Sequence, residues 1–441
     1  MLQQSPEYRR LDRLASVKLS DSYVIEEKAT RLEQRRAARI KRAYGATALG
    51  LVLAANVGAY AADVHANMEL QANASIGISV LGDAHEKSDA SNALVFVDGF
   101  GSYDSISLTN SLGKAYQPTV DGQLWSVNYN NAILNRTAIA DKIVETAEAR
   151  GVTSVSLVGY SAGGAISAEL VQELTKKNID INLIAFNSTP NGAGGLRSER
   201  QNEIGLVEKI KHIPGAQYST PLRFLGEMAF RSGAYTAPLD GDSLPENTQT
   251  FGQNIAHFFD TAGNVRRDMR ENKMPGTWLM FDQVLAIENA NIKDRIEELG
   301  DLPDTKIHPT IVYLGTGAPG YDYMVDDKKS AAEIGQYAAD AGLPFYTAEV
   351  PGAIHSRPDL TVDAYVKTLT SMQDSIQDSI DEQRGIAYAN QLAERYATHD
   401  AHNGTNAESG TYPDGGDHAA AAPDGSVPQP EATANPNAAD R

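Results

Sequence analysis

The chain has no cysteine. That excludes disulfides, thiol nucleophiles and cysteine-based metal sites, and it leaves the redox compartment undetermined. It also lacks a basic face: the formal net charge is −19 over 441 residues. Nothing offsets phosphate repulsion, so nucleic acid is excluded as a partner. No His-Glu-x-x-His, phosphate loop or convincing dinucleotide fingerprint occurs. No metal or other cofactor is therefore expected. No internal repeat is present, and the sequence names no protein partner.

Charge is unevenly distributed. Residues 1–43 hold eleven Lys/Arg against six Asp/Glu, with the excess at Arg35, Arg36, Arg39, Lys41 and Arg42. Twenty uncharged residues come next, Ala43 to Ala62, centred on Leu49-Gly50-Leu51-Val52-Leu53. Basic residues ahead of an apolar stretch predict a cytoplasmic N-terminus and a translocated C-terminal part. Twenty residues just suffice to cross a bilayer as a helix, at ~1.5 Å per residue over ~30 Å. Asn56 and three glycines dilute the stretch, and Ala59-Tyr60-Ala61 matches the small-x-small pattern ahead of a signal-peptidase cut. Two outcomes stay open. One is a membrane anchor through residues 43–62 with an extracytoplasmic domain, and the other is secretion after cleavage near Ala61. The bland alternative is a buried helix of a cytoplasmic protein.

The chain divides into a basic segment 1–42, the apolar segment 43–62, a polar connector 63–90, a folded domain 91–398 and a tail 399–441. The tail is Gly, Asp, Ala, Pro, Asn and Ser with hardly a large apolar side chain. It cannot offset its ordering entropy and is expected to be disordered. From residue 91, strands alternate with helices, as in a mostly parallel, doubly wound α/β sheet. Strands are expected at 93–97, 124–128, 152–158, 181–186, 310–314 and 344–350. Helices are expected at 137–149, closed by Gly151, at 165–177, and from 362 to about 396. The interval 191–305 breaks the alternation and reads as an inserted helical cap. Its Leu225, Met228, Phe230, Phe258, Phe259 and Trp278-Leu279-Met280-Phe281 suit either an acyl-binding cavity or the cap's own core.

Gly159-Tyr160-Ser161-Ala162-Gly163-Gly164 lies between the strand 152–158 and the helix after it. A serine there sits on a sharp strand-to-helix turn, which only small residues at 159 and 163 allow to close. The next N–H groups stand at a helix N-terminus, where an anion is welcome. A serine hydroxyl needs a base, and the base needs an orienting group. Of nine histidines, only His355 closely succeeds the last strand, in Val350-Pro351-Gly352-Ala353-Ile354-His355. The loop after the preceding strand offers Asp322, with Asp326 as the alternative and Asp327 behind it; a solvated acidic loop is the plain reading of all three. The backbone N–H groups of Ala162 and Phe100, the latter in Asp98-Gly99-Phe100-Gly101, are the candidate oxyanion donors.

The order Gly-x-Ser-x-Gly, then Asp322 after one strand, then His355 after the next, resembles the α/β-hydrolase superfamily, with a cap between the sixth and seventh strands. The resemblance spans roughly residues 90–380. It implies a doubly wound, mostly parallel sheet and acyl-enzyme chemistry. Ser161 would be the nucleophile, His355 the base, Asp322 the acid, and Phe100 and Ala162 the oxyanion donors. Many members have His-Gly where this chain has Asp98-Gly99. The expected activity is that of an exported serine hydrolase acting on a small-molecule or lipid ester. An acyltransferase on the same triad, or a non-catalytic surface-binding member of the fold, is the alternative.

Overall fold

Asn92–Val97, Ser154–Tyr160 and Thr310–Thr316 are buried at every position. Strands of that kind belong inside a sheet covered on both faces. The computed structural model of the chain places them so. It describes residues 75–86, 89–131, 133–198, 276–317, 322–355 and 357–405, with residue 50, residues 54–65 and pieces of 200–267. Seven strands form one sheet: β1 (Gly77–Gly82), β2 (Asn92–Val97), β3 (Gln123–Asn128), β4 (Ser154–Tyr160), β5 (Asp180–Asn187), β6 (Thr310–Thr316) and β7 (Phe345–Val350). Their order is β1-β3-β2-β4-β5-β6-β7. All neighbours are parallel except β1, which runs antiparallel to β3.

Period-two alternation sorts the core into two layers. Ala93, Val95 and Val97 of β2 face a layer built on the helices Arg136–Arg150, Ala162–Lys176, Ile292–Gly300 and Asp327–Asp340. Leu94 and Phe96 face the helices Ile106–Tyr116 and Val362–Thr370 and the start of Gln373–Thr405. Fully burying a side chain such as Phe96 contributes about 1.5–3 kcal/mol, and Phe96 is 0 % exposed. The chain leaves β2 for β3 on one side and then returns to β4 on the other. The carboxyl ends of β2 and β4 therefore flank the point where strand order reverses, and crevices in open α/β sheets lie there.

Several expectations change. β1 lies within the supposed connector 63–90 and pairs through Gly77–Gly82. The helix Ile106–Tyr116 is an addition to the expected elements. The inserted cap comes after the fifth strand in chain order, not the sixth, because a single strand precedes β2. The last helix, Gln373–Thr405, runs past residue 398; residues 406–441 lie outside the described ones. Two compact units are present, Met1–Asn390 and Gln391–Arg441. The expected closure of the helix Arg136–Arg150 is seen: Gly151 has φ 68° and its N–H donates to the Ala147 carbonyl.

Among the described residues, no helix is long and apolar enough to cross a membrane. The basic segment 1–42 and residues 43–49 and 51–53 lie outside them. Residues 54–65 are helical, and Tyr60 and Val64 are buried against Phe224, Met228, Ala262 and Val265 of the cap. The Tyr60 hydroxyl donates to Glu227 Oε1 at 2.6 Å. Glu227 also pairs with Arg223 at 2.7 Å, and Arg266 pairs with Asp63 at 3.1 Å. Of the apolar cap residues, Met228 thus belongs to a small local core. Leu279 joins the main layer, and Phe281 joins a cluster over Ala162. Leu225, Phe230, Phe258 and Phe259 lie outside the described residues.

Candidate active site

Ser161 directly follows β4 and caps the start of the helix Ala162–Lys176 with φ 52° and ψ −127°. A non-glycine residue in such a conformation costs about 1–3 kcal/mol and persists only where its surroundings over-determine it. Here they do. The Ser161 N–H donates to the Asn187 carbonyl at 2.8 Å, and the Gly164 N–H donates to the Ser161 carbonyl at 3.0 Å. Asn187 is itself held: Tyr116 donates to its Oδ1 at 2.7 Å, and its Nδ2 donates to the Gly159 carbonyl at 2.9 Å. The two motif glycines are steric necessities. A Cβ at Gly159 would lie 2.4 Å from Gly164 Cα, and one at Gly163 would lie 2.0 Å from the Val97 carbonyl oxygen.

His355 stands in the loop after β7 and is 3 % exposed. Its Nε2 lies 3.0 Å from Ser161 Oγ, and its Nδ1 lies 2.8 Å from Asp322 Oδ2. The second Asp322 oxygen accepts from the Met324 and Val325 N–H groups at 2.8 and 2.6 Å. Tyr323 meets the imidazole edge-on at 5.7 Å and Tyr160 lies tilted at 6.0 Å, so the ring has one seat. Burial lowers the His355 pKa. The charge and hydrogen bond of Asp322, aided by the charge of Asp327, more than offset this, and the net direction is upward from 6.5.

The structure thus brings Ser161, His355 and Asp322 into one contact line. Asp326 stands apart from it: its side chain accepts from the Lys329 N–H and caps the helix Asp327–Asp340. Asp327 is no solvated loop residue either. Its carboxylate accepts from Tyr313 Oη at 2.7 Å, and from Thr316 N and Oγ1 at 2.8 Å each. Burial first, and the charge of Asp322 second, push its pKa up to about 7.

Phe100 and Ala162 share one apolar cluster with Val284, Ile287, Phe281 and Tyr323. Gly99 is close enough that a Cβ on it would lie 2.8 Å from Ala162 N. The loop after β2 therefore lies against the N-terminus of the elbow helix. Asp98, which stands where many relatives of the expected family have histidine, folds this loop onto itself. Its Oδ1 accepts from the Gly99 N–H and its Oδ2 from Ser102 Oγ, both at 2.8 Å. Tyr129 donates to its carbonyl at 2.5 Å.

A mostly parallel sheet reverses its order beside a strained serine elbow, and an acid and a histidine succeed two later strands in turn. The fold is that of the α/β-hydrolases. No family model and no curated protein matches the chain. Among solved structures with this fold, one from the carboxylesterases of the ammonia-oxidizing thaumarchaeon Nitrososphaera gargenis is similar at 10 % identity and TM-score 0.42, covering 69 % of this chain and 97 % of that one. A highly thermostable carboxyl esterase from Bacillus coagulans is similar at 12 % identity and TM-score 0.43, covering 70 % and 96 %. Homoserine O-acetyltransferase from Staphylococcus aureus is similar at 13 % identity and TM-score 0.39, covering 69 % and 94 %.

Within this α/β-hydrolase fold, sequence reasoning missed Asn187 and Gln283, and it named Asp327 only as a further candidate acid or a solvated loop residue. Asn187 closes the apolar run Leu183–Phe186 just before Ser188-Thr189-Pro190, and that polar ending was a usable signal. Gln283 interrupts the apolar run Trp278–Ile287 together with Asp282, and is 0 % exposed.

Proposed function

We propose that the chain is a serine hydrolase that cleaves a carboxylic ester through an acyl-enzyme. The observation that carries this reading is the continuous line from Ser161 Oγ to His355 Nε2 and from His355 Nδ1 to Asp322 Oδ2, at 3.0 and 2.8 Å. Ser161 Oγ attacks the ester carbonyl carbon while its proton passes to Nε2. Asp322 stabilises the resulting imidazolium and fixes the tautomer that leaves Nε2 free to accept. Charge on the carbonyl oxygen is met by the N–H groups of Phe100 and Ala162. The tetrahedral species collapses, and the leaving alcohol takes the proton from Nε2. Water then attacks the acyl-serine with His355 again as base, and the acid departs. Phe100, Phe281, Val284 and Tyr323 make an apolar wall over Ala162, which suits an acyl chain.

The same reading puts the catalytic domain outside the cytoplasm with the segment 43–62 retained uncut; residues 54–62 belong to the helix packed on the cap and not to a bilayer span. The basic residues ahead of that stretch support it. So does the seat of Tyr60 and Val64 in one cluster, which a cut after Ala61 would split. N-terminal sequencing of the protein recovered from its cell tests this part.

The test of the chemistry is hydrolysis of p-nitrophenyl esters from acetate to palmitate by the chain and by Ser161→Ala. Turnover that disappears in the variant supports the hydrolase. No turnover on any ester, with the fold intact, favours a binding module. Acyl transfer to an added alcohol that outruns hydrolysis favours an acyltransferase.

A further inference from the structure

The loop expected to carry an oxyanion donor is held by a residue from the cap. Gln283 lies in the helix Thr277–Asn289, more than 180 residues away in sequence from the loop after β2. Its Oε1 accepts from the Gly101 N–H at 3.0 Å, and its Nε2 donates to the Ser102 carbonyl at 2.6 Å. The side chain is 0 % exposed. One partner is a donor and the other an acceptor, so the amide has a single satisfactory orientation. The two contacts bracket the backbone just beyond Phe100. The helix that brings Gln283 is itself tied to the domain, because the Gly276 N–H donates to Asn131 Oδ1 at 2.9 Å and the Leu134 N–H to Asp282 Oδ2 at 3.1 Å. The next turn of the helix packs Val284 and Ile287 with Ala162, the other expected donor.

We propose that Gln283 is a positioning residue that sets the Phe100 N–H for the oxyanion, so that the hole is complete only when the cap helix is seated. This rests on the hydrolase reading. A buried amide with both ends occupied by loop backbone does more than fill space. An apolar residue of the same size would fill the volume and leave the Gly101 N–H and Ser102 carbonyl without these partners. Loop displacement of even ~1 Å can cost on the order of 100-fold in rate.

The test compares the parent chain with Gln283→Met, which keeps volume and removes both hydrogen bonds, and Gln283→Glu, which keeps the acceptor for Gly101 and, when ionised, has no donor for Ser102, assayed from about pH 6 to about pH 9. The readouts are kcat and KM for p-nitrophenyl acetate, the rate of fluorophosphonate labelling, and affinity for phenylboronic acid, whose tetrahedral adduct on Ser161 puts an oxygen in the hole. Gln283→Met is expected to lower kcat, labelling rate and boronate affinity together by about 10- to 100-fold. KM should stay within about twofold, the pattern of an interaction made only in the transition state. Gln283→Glu should fall between the two. A folded Gln283→Met with parental kcat and labelling overturns the proposal. Where Gln283→Met fails to fold, Gln283→Glu decides, and parental kcat in that variant overturns it equally. A parent chain that neither labels nor hydrolyses sinks the hydrolase reading and the clamp with it. A parent that does both while Gln283→Met labels equally fast sinks the clamp alone.

Discussion

Asp322→Asn changes the site by one atom type, and the surrounding geometry fixes the consequence. Oδ1 of Asp322 accepts from two backbone N–H groups, those of Met324 and Val325. In the variant the amide oxygen must keep that place, since an NH₂ group facing two donors would lose both bonds. The amide nitrogen then faces His355 Nδ1 and donates to it. Nδ1 becomes an acceptor, so the ring proton moves to Nε2, the atom that faces Ser161 Oγ. A base already protonated at that atom cannot take the serine proton. In serine hydrolases this kind of tautomer reversal lowers kcat about 10⁴-fold, which is ~5.4 kcal/mol at 1.36 kcal/mol per decade. The pH profile carries a second signature. The base acts only when neutral, so activity rises as pH passes the His355 pKa. Burial lowers that pKa and Asp322 raises it, with a net upward shift in the parent. The parental acid limb is therefore expected above pH 6.5, and the variant's limb at lower pH, because the charge is gone and burial remains. The assay is kcat against pH on a p-nitrophenyl ester, with a thermal melt to show that the fold is kept. A kcat within tenfold of the parent, or an acid limb that does not move, would refute the reasoning.

Other perturbations test other parts. Gly163→Ala drives a methyl group onto the Val97 carbonyl, 2.0 Å away, and should lower stability by about 2–3 kcal/mol or prevent folding, read by denaturant titration. Asp327 is raised to about 7 in the folded chain, above its unfolded value near 3.8, so the folded state favours its protonated form. The stability this gives is full below about pH 4 and is lost as pH rises through 7. Melting of Asp327→Asn relative to the parent is therefore expected to improve from about pH 5 to about pH 8, and a difference independent of pH would contradict it. Tyr60→Phe leaves Glu227 without the donor at 2.6 Å and should cost about 1–3 kcal/mol locally, seen as faster hydrogen exchange in residues 54–65 and 223–228.

The central strands and the elbow were legible because their signals are local. Ala93–Val97 is a continuous apolar run with a turn behind it, and Gly159 to Gly164 joins a strand pattern to a helix pattern. His355 was legible by position alone, as the histidine nearest the end of the last strand. Asp322 was separable from Asp326 only once Asp326 was seen capping the helix Asp327–Asp340. β1 escaped because an antiparallel edge strand needs no continuous apolar run, and Gly77–Gly82 is only partly buried through most of its length. Gln283 and Asn187 escaped for another reason. Their importance lies in backbone groups about 180 and 28 residues away, Gly101 and Gly159, and no periodicity encodes such a pairing. The cap's apolar residues did not reveal whether they line a cavity or a core, because apolar periodicity is the same in both.

The most direct test is to treat the chain with a fluorophosphonate and map the adduct by peptide mass spectrometry. One adduct per chain on Ser161, absent from Ser161→Ala and slowed strongly in His355→Ala, is the expected result. A folded chain that takes no label at residue 161, or labels there at the same rate without the histidine, would contradict the account.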